Sequence, residues 1–241
     1  MQKIIGRKPV LEALKSQANI DQIYLQYGQH GSIIEQIKKL AKKNGVKLTQ
    51  LSPQKFAVHS DGKNTQGIIA RKSTFNYSEI DEILLVAEES NFPLLLLLDS
   101  IQDPHNLGAI IRTAECSGVN GIITTIRNSA SITNTVEKTS AGAVSHMKIA
   151  QVNNLIPTID ILKQSGYWIV GSKLGNSQNY TSIDYKQPIA LILGNEEKGI
   201  RHLISEKCDF LAEIPMKGKI QSLNVSVAAG VLLFEILRQR T

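Results

Sequence analysis

Between residues 33 and 41 the apolar side chains Ile33, Ile34, Ile37, Leu40 and Ala41 recur at helical spacing, and Lys38, Lys39, Lys42 and Lys43 fill the other face. This period predicts an amphipathic helix, with Gly45 as the residue that ends it. Strand-like runs flank it at 23–25, 46–51 and 67–71, which together make a small α/β unit. Residues 73–92 carry Glu79, Asp81, Glu82, Glu88 and Glu89 with little apolar period, and read as an acidic connector with a short helix around 80–87. From residue 93 the register changes. Leu94–Leu98 is a continuous apolar run ending at Asp99, as expected of a parallel strand buried on both faces. Further buried-strand candidates lie at 121–125, 168–171, 189–193 and 210–214, separated by helical stretches at 106–117, 135–143, 155–164 and 222–240. Such alternation predicts an open parallel sheet covered on both sides.

Charge divides the 241-residue chain in the same place. Residues 1–72 carry 13 Lys/Arg against 4 Asp/Glu, and the remaining 169 residues carry 14 against 17. A basic unit joined to a near-neutral one suggests a polyanion held by the first and chemistry in the second, although a lysine-rich solvated surface gives the same count. The longest apolar run, 93–98, is too short to span a bilayer, and the first ten residues lack the long apolar stretch expected of a secretory signal. The two cysteines, Cys116 and Cys208, are far apart and have no CxxC partner. Neither a disulfide framework nor a metal site is expected, and a cytoplasmic setting is the default.

Dinucleotide and P-loop signatures are missing. Instead, three polar, glycine-bearing segments stand at expected strand ends, where α/β domains bind their ligands. The first, after the 94–98 strand, contains Pro104, His105, Asn106, Gly108 and Arg112; by itself Arg112 reads as a surface partner of Glu115. The second is Gly194-Asn195-Glu196-Glu197-Lys198-Gly199, which could equally be a plain turn. The third runs from Ile214, Pro215 and Met216 through Ser222, Leu223, Asn224 and Ser226 to Ala228, Ala229 and Gly230. Ser222 is a natural helix N-cap, and the small residues allow tight packing, here expected against a second subunit. An ordinary capped C-terminal helix is the alternative.

Taken together, these segments resemble the SpoU (TrmH-like) family of SPOUT RNA 2′-O-methyltransferases. Its motifs appear in order as Asn106-x-Gly108-x-x-x-Arg112, Gly194-x-Glu196-x-x-Gly199 and Ile214-Pro215 through Gly230, over roughly residues 93–241. The first 72 residues, from Ile5-Gly6-Arg7-Lys8-Pro9-Val10 to Thr65-Gln66-Gly67-Ile68, look like that family's L30e-like substrate-binding domain, and the likeness is greatest to its 23S rRNA guanosine (RlmB-type) branch.

The resemblance implies an α/β fold whose parallel sheet ends in a deep C-terminal trefoil knot. It also implies a domain plan of 1–72 for RNA binding, 73–92 as linker and 93–241 for methyl transfer. S-adenosylmethionine is the implied cofactor, held by Gly194, Ile214 and Leu223, with Met216 and Ser222 nearby. The implied catalytic set is Arg112, with Asn106, Glu196, Ser222 and Asn224 positioning it, the ribose and the cofactor. His105 is the alternative base beside the site. Ribosomal RNA is the implied partner, and a homodimer through the C-terminal domain is expected. A tRNA or resistance-type rRNA methyltransferase would show the same three segments. A non-catalytic rRNA-binding assembly factor would be expected to have lost Arg112, Asn106 or the 222–224 run, all of which are present.

Overall fold

The computed structural model describes residues 3–16, 18, 20–44, 46–72, 75–175, 177–195, 199–220 and 222–241. Gly45 and Glu196, both singled out above, lie outside the described residues. The chain divides into two compact units, residues 1–76 and 77–241.

The first unit contains β1 (Lys3–Ile5), α1 (Arg7–Lys15), β2 (Ile20–Gln26), α2 (Ser32–Lys43), β3 (Lys47–Leu51), α3 (Pro53–Ser60) and β4 (Ile68–Lys72). Its sheet has the order β1-β4-β2-β3, parallel only between β2 and β3. Ile23 and Leu25 of β2 pack with Val10, Leu14, Ile34, Ile37 and Ala41 in one apolar core. The helix expected over 33–41 is therefore α2, while β1, α1 and α3 give no comparable apolar signal. Two of them start at proline- or glycine-marked turns: Gly6 caps α1 at φ 98°, and Pro53 opens α3 behind the Ser52 cap.

The second unit contains α4 (Ile80–Glu88), β5 (Leu94–Leu98), α5 (Pro104–Cys116), β6 (Gly121–Thr125), α6 (Asn134–Thr139), β7 (Ile149–Val152), α7 (Leu155–Gln164), β8 (Trp168–Ser172), β9 (Gln178–Asn179), β10 (Ile189–Leu193), α8 (His202–Ser205), β11 (Phe210–Glu213) and α9 (Val225–Arg240). Its seven strands are all parallel, in the order β7-β6-β5-β10-β8-β11-β9. The expectation that 73–92 is a linker is corrected here. Ile83 and Ala87 of α4 are fully buried in the sheet's core, and a Cβ on Gly121 would come within 2.4 Å of Ile83. The short helix expected around 80–87 is α4, and its acidic residues face outward. The helix expected over 135–143 is also shorter: it stops at Thr139, and a separate 3-10 turn covers Ala143–His146. Ala141 and Gly142, at φ 50° and 89°, make the break.

The C-terminus is fastened to the sheet's amino edge. Arg240 donates from Nε to the Tyr185 carbonyl at 2.9 Å, from Nη1 to that of Phe92 at 2.7 Å and from Nη2 to that of Gln187 at 2.8 Å. Burial draws this guanidinium down to about 10, which still leaves it charged at neutral pH. Arg240→Met is expected to cost about 2 kcal/mol, because three part-buried carbonyls lose their donor; urea unfolding reads this directly. One turn earlier, the hydrogen bond from Arg238 holds Glu235 down to about 2. Its contribution is present above the ordinary carboxylate value and is lost as pH falls toward 2.

Candidate active site

Two neighbouring strands carry the first and second motif loops out of the sheet at the same level. Leu98 of β5 is in register with Leu193 of β10, and the next amide, Asp99 N–H, donates to the Leu193 carbonyl at 2.8 Å. After Leu193 the chain doubles back. Asn195 and Gly199 exchange backbone hydrogen bonds of 3.0 and 2.8 Å, with Gly199 at φ 64°. This closure leaves no room for a side chain at Gly194, where a Cβ would sit 2.1 Å from both Gly199 C and Ile200 N. The glycine at this position is therefore demanded first by the loop itself.

A residue pair that the sequence did not flag stitches the two loops together. Asp99 is only 1% exposed, yet its carboxylate accepts from Arg201 Nε at 2.8 Å and from the Arg201 amide at 3.1 Å. Asn195 Nδ2 adds a bond to the Ser100 carbonyl at 3.1 Å, and Ser100 holds φ 67°. The loop after β6 joins them, since Ala130 N–H donates to the Ile101 carbonyl at 2.7 Å. A carboxylate at the end of an all-apolar strand was the available clue to Asp99, because a buried charge needs a partner. Asp99→Ala is expected to cost about 2 kcal/mol in urea unfolding by leaving buried donors unmatched. Arg201→Gln keeps the backbone amide bond but leaves the buried carboxylate without its counter-charge, and should cost about 3 kcal/mol.

The first and third motifs also meet. Asn224 Nδ2 donates to Asn106 Oδ1 at 3.0 Å across 118 positions of sequence. Asn224, not Ser222, is the N-cap of α9; its Oδ1 accepts from the Ser226 amide at 2.8 Å, and the helix begins at Val225 rather than at 222. Ser222 and Leu223 precede it as exposed, non-helical residues. Within the chain, Ala229 of α9 is fully buried, and a Cβ on Gly230 would lie 3.9 Å from Thr113 of α5. Gly108 plays the same part on the other side of α5, where a Cβ would come within 1.9 Å of Thr139 Oγ1 in α6.

Arg112 stands exposed on α5 and forms no hydrogen bond or ion pair among the described residues, so the expected bridge to Glu115 is not made. His105 is exposed at the opening of the same helix, its amide bonded to Asp103 at 2.9 Å. Ile214 and Met216 are half-buried where β11 leaves the sheet. Gly194 lies two strand spacings away, about 10 Å, because β8 separates β10 from β11. Leu223, which precedes α9, is 37% exposed. Burial pushes the Cys208 thiol up to about 12, which keeps it protonated at neutral pH. Among the described residues no cluster of three or more His, Cys, Asp or Glu could hold a metal, and no helix is long and apolar enough to cross a membrane.

A parallel α/β sheet with glycine-bearing loops gathered at its carboxyl edge defines a nucleotide- or cofactor-binding domain. Residues 93–234 match the SpoU rRNA Methylase family model, and residues 3–78 match the model for RNA 2′-O ribose methyltransferase substrate binding. The chain belongs to the SpoU rRNA methylase family, TrmH-like RNA methyltransferases that use S-adenosylmethionine. It is 39% identical over 238 residues to a TrmH family tRNA/rRNA methyltransferase of Bacillus subtilis, covering 98% of this chain and 95% of that one. Among solved structures it resembles an AdoMet-bound rRNA methyltransferase from Sinorhizobium meliloti, with TM-score 0.62, 26% identity and coverage of 99% and 87%. It also resembles the A. aeolicus TrmH/SpoU tRNA modifying enzyme, with TM-score 0.58, 34% identity and coverage of 66% and 81%.

Proposed function

We propose that this protein transfers the methyl group of S-adenosylmethionine to a ribose 2′-hydroxyl of RNA, with a guanosine of 23S rRNA as the target. The observation that carries the reading is the Asn106–Asn224 bond, which brings the first and third motifs together on the helix that presents Arg112. Bound S-adenosylmethionine would supply an already activated methyl on a positive sulfur. Gly194, Ile214, Met216, Ser222 and Leu223 would hold it, and the C-terminal segment would wrap it as a trefoil knot. The order β5-β10-β8-β11, in which a late strand is inserted beside an early one before α9 returns to α5, supports that threading.

The chain's own task is to align the sugar hydroxyl and make it nucleophilic. A guanidinium stays protonated in proteins, so Arg112 would not take the proton. It would pin a substrate phosphate and stabilise the alkoxide as charge develops, while the phosphate or a water receives the proton. Asn106, Asn224, Ser222 and Glu196 would set its surroundings. The basic first unit would hold structured RNA through phosphate contacts and accessible 2′-hydroxyls. Two copies would pair through the C-terminal helix, where Val227 and Phe234 are each about half exposed.

The test is mass-spectrometric mapping of 2′-O-methyl nucleosides in rRNA and tRNA from cells with and without the gene. One 23S guanosine should lose its methyl in the deletion. Loss from a tRNA instead would redirect the target, and an unchanged pattern in both pools would overturn the reading.

A further inference from the structure

The first unit's charges are not evenly spread once its ion pairs are removed. All four carboxylates of residues 1–72 are taken by the unit's own cations: Asp61 by Lys3, Glu12 by Lys15, Glu35 by Lys38 and Asp21 by Arg71. The remaining positive charge gathers mainly in two places. Lys39, Lys43 and Lys47 lie toward the C-terminal end of α2 and the start of β3, whereas Arg7 and Lys8 lie at the other end of the unit, at the start of α1, with Lys63 in the loop that leads to Gln66 and Gly67. The length of α2, 12 residues or about 18 Å, separates the two.

From this asymmetry we propose that the end formed by residues 6–8, 27–31 and 63–67 is the RNA-binding face, with a base stacked on Tyr27 and phosphates met by Lys8 and Lys63. The proposal rests on the reading of this unit as RNA-binding. The three segments form one rigid cluster. Arg7 donates from Nε to the Gln66 carbonyl at 3.2 Å and from its amide to Gln66 Oε1 at 3.0 Å, and its guanidinium also bonds Gln29 Oε1 and the His30 carbonyl. Gln26 N–H donates to the Gly67 carbonyl at 2.9 Å, which brings the 63–67 loop alongside Tyr27.

Packing accounts for only part of this cluster. A side chain at Gly67 would strike Gln29, but Gly28 and Gly31, at φ 83° and 119°, face open space. Gln66 holds φ 52° without being glycine. Conformations of this kind concentrate where a surface is shaped for a ligand. Tyr27 is 58% exposed, while Tyr24 is stacked on His59 and Phe56 is buried. An exposed ring beside cations suits an unpaired base flanked by phosphates. The lysines at the other end already have a structural task, since positive charge there offsets the negative end of the α2 dipole.

The experiment uses the full chain and a fluorescein-labelled RNA hairpin with an unpaired loop, read by fluorescence anisotropy from 50 to 200 mM salt, with circular dichroism to check folding. Lys8→Glu with Lys63→Glu should weaken binding at least tenfold and lower the salt slope by about two. The charge-matched pair Lys39→Glu with Lys47→Glu should stay within about twofold. Tyr27→Ala should weaken hairpin binding fivefold or more, and Tyr27→Phe should restore it. Equal losses for both charge-reversed pairs, or a loss confined to Lys39 and Lys47, would overturn the proposed face while leaving the RNA-binding reading intact. Failure of the unaltered protein to bind the hairpin would overturn both.

Discussion

Arg112→Ala should slow methyl transfer at least about a hundredfold while leaving the Kd for S-adenosylmethionine within about threefold. Removing one preorganised donor aimed at developing charge costs this much in other enzymes. The exposed guanidinium forms no bond among the described residues, so its loss should not disturb the fold. Arg112→Lys should recover only a fraction of the rate, because an ammonium cannot offer the planar fork that fits a phosphate. Radiolabelled methyl transfer to RNA and calorimetric titration of the cofactor separate the two quantities. Turnover that survives within a few fold would remove Arg112 from the reaction and leave His105, at the start of the same helix, as the group to examine.

Gly194→Ala should disrupt the turn after β10. The added methyl would meet backbone atoms 2.1 Å away, and these cannot rotate aside as a side chain can. The Asn195–Gly199 bridge must therefore open or the end of β10 must shift. Overpacking against backbone costs about 3 kcal/mol, or roughly 6–12 °C in the melting temperature of a unit this size. Affinity for S-adenosylmethionine should fall below detection in calorimetry, while RNA binding by the first unit persists. Unchanged cofactor affinity would show that the 194–199 loop does not contribute to the binding site.

Much of this was legible in the chain. Leu94–Leu98 and Ile189–Leu193 announced buried parallel strands because a strand covered on both faces has no polar positions to alternate. The helix over 33–41 was equally plain, since a 3.6-residue period with one cationic face has few other solutions. Short elements with weak contrast, such as β1, α3 and β7, were not visible. The helix expected around 80–87 is α4, but its place in the core was missed, because its outward carboxylates outweigh the two residues, Ile83 and Ala87, that bury it. At the start of α9 the local rule allowed Ser222 or Asn224 as cap, and tertiary contact decided for Asn224 by giving its amide a partner in Asn106.

The sequence by itself determined the long, strongly patterned elements, the split between a basic and a near-neutral unit, and the three segments that match the family's motifs. It could not determine the order of the strands, because five apolar runs are interchangeable in hydrophobicity, and order depends on how chain crossings pack. Only the tertiary structure placed β10 beside β5, closed the 194–199 loop onto Gly194, and gave the buried Asp99 its partner Arg201. The physical reason is that the strand pairing and the Asp99–Arg201 contact join residues about a hundred positions apart, where local propensity has no influence, and that the turn at Gly194 is fixed by close backbone approach.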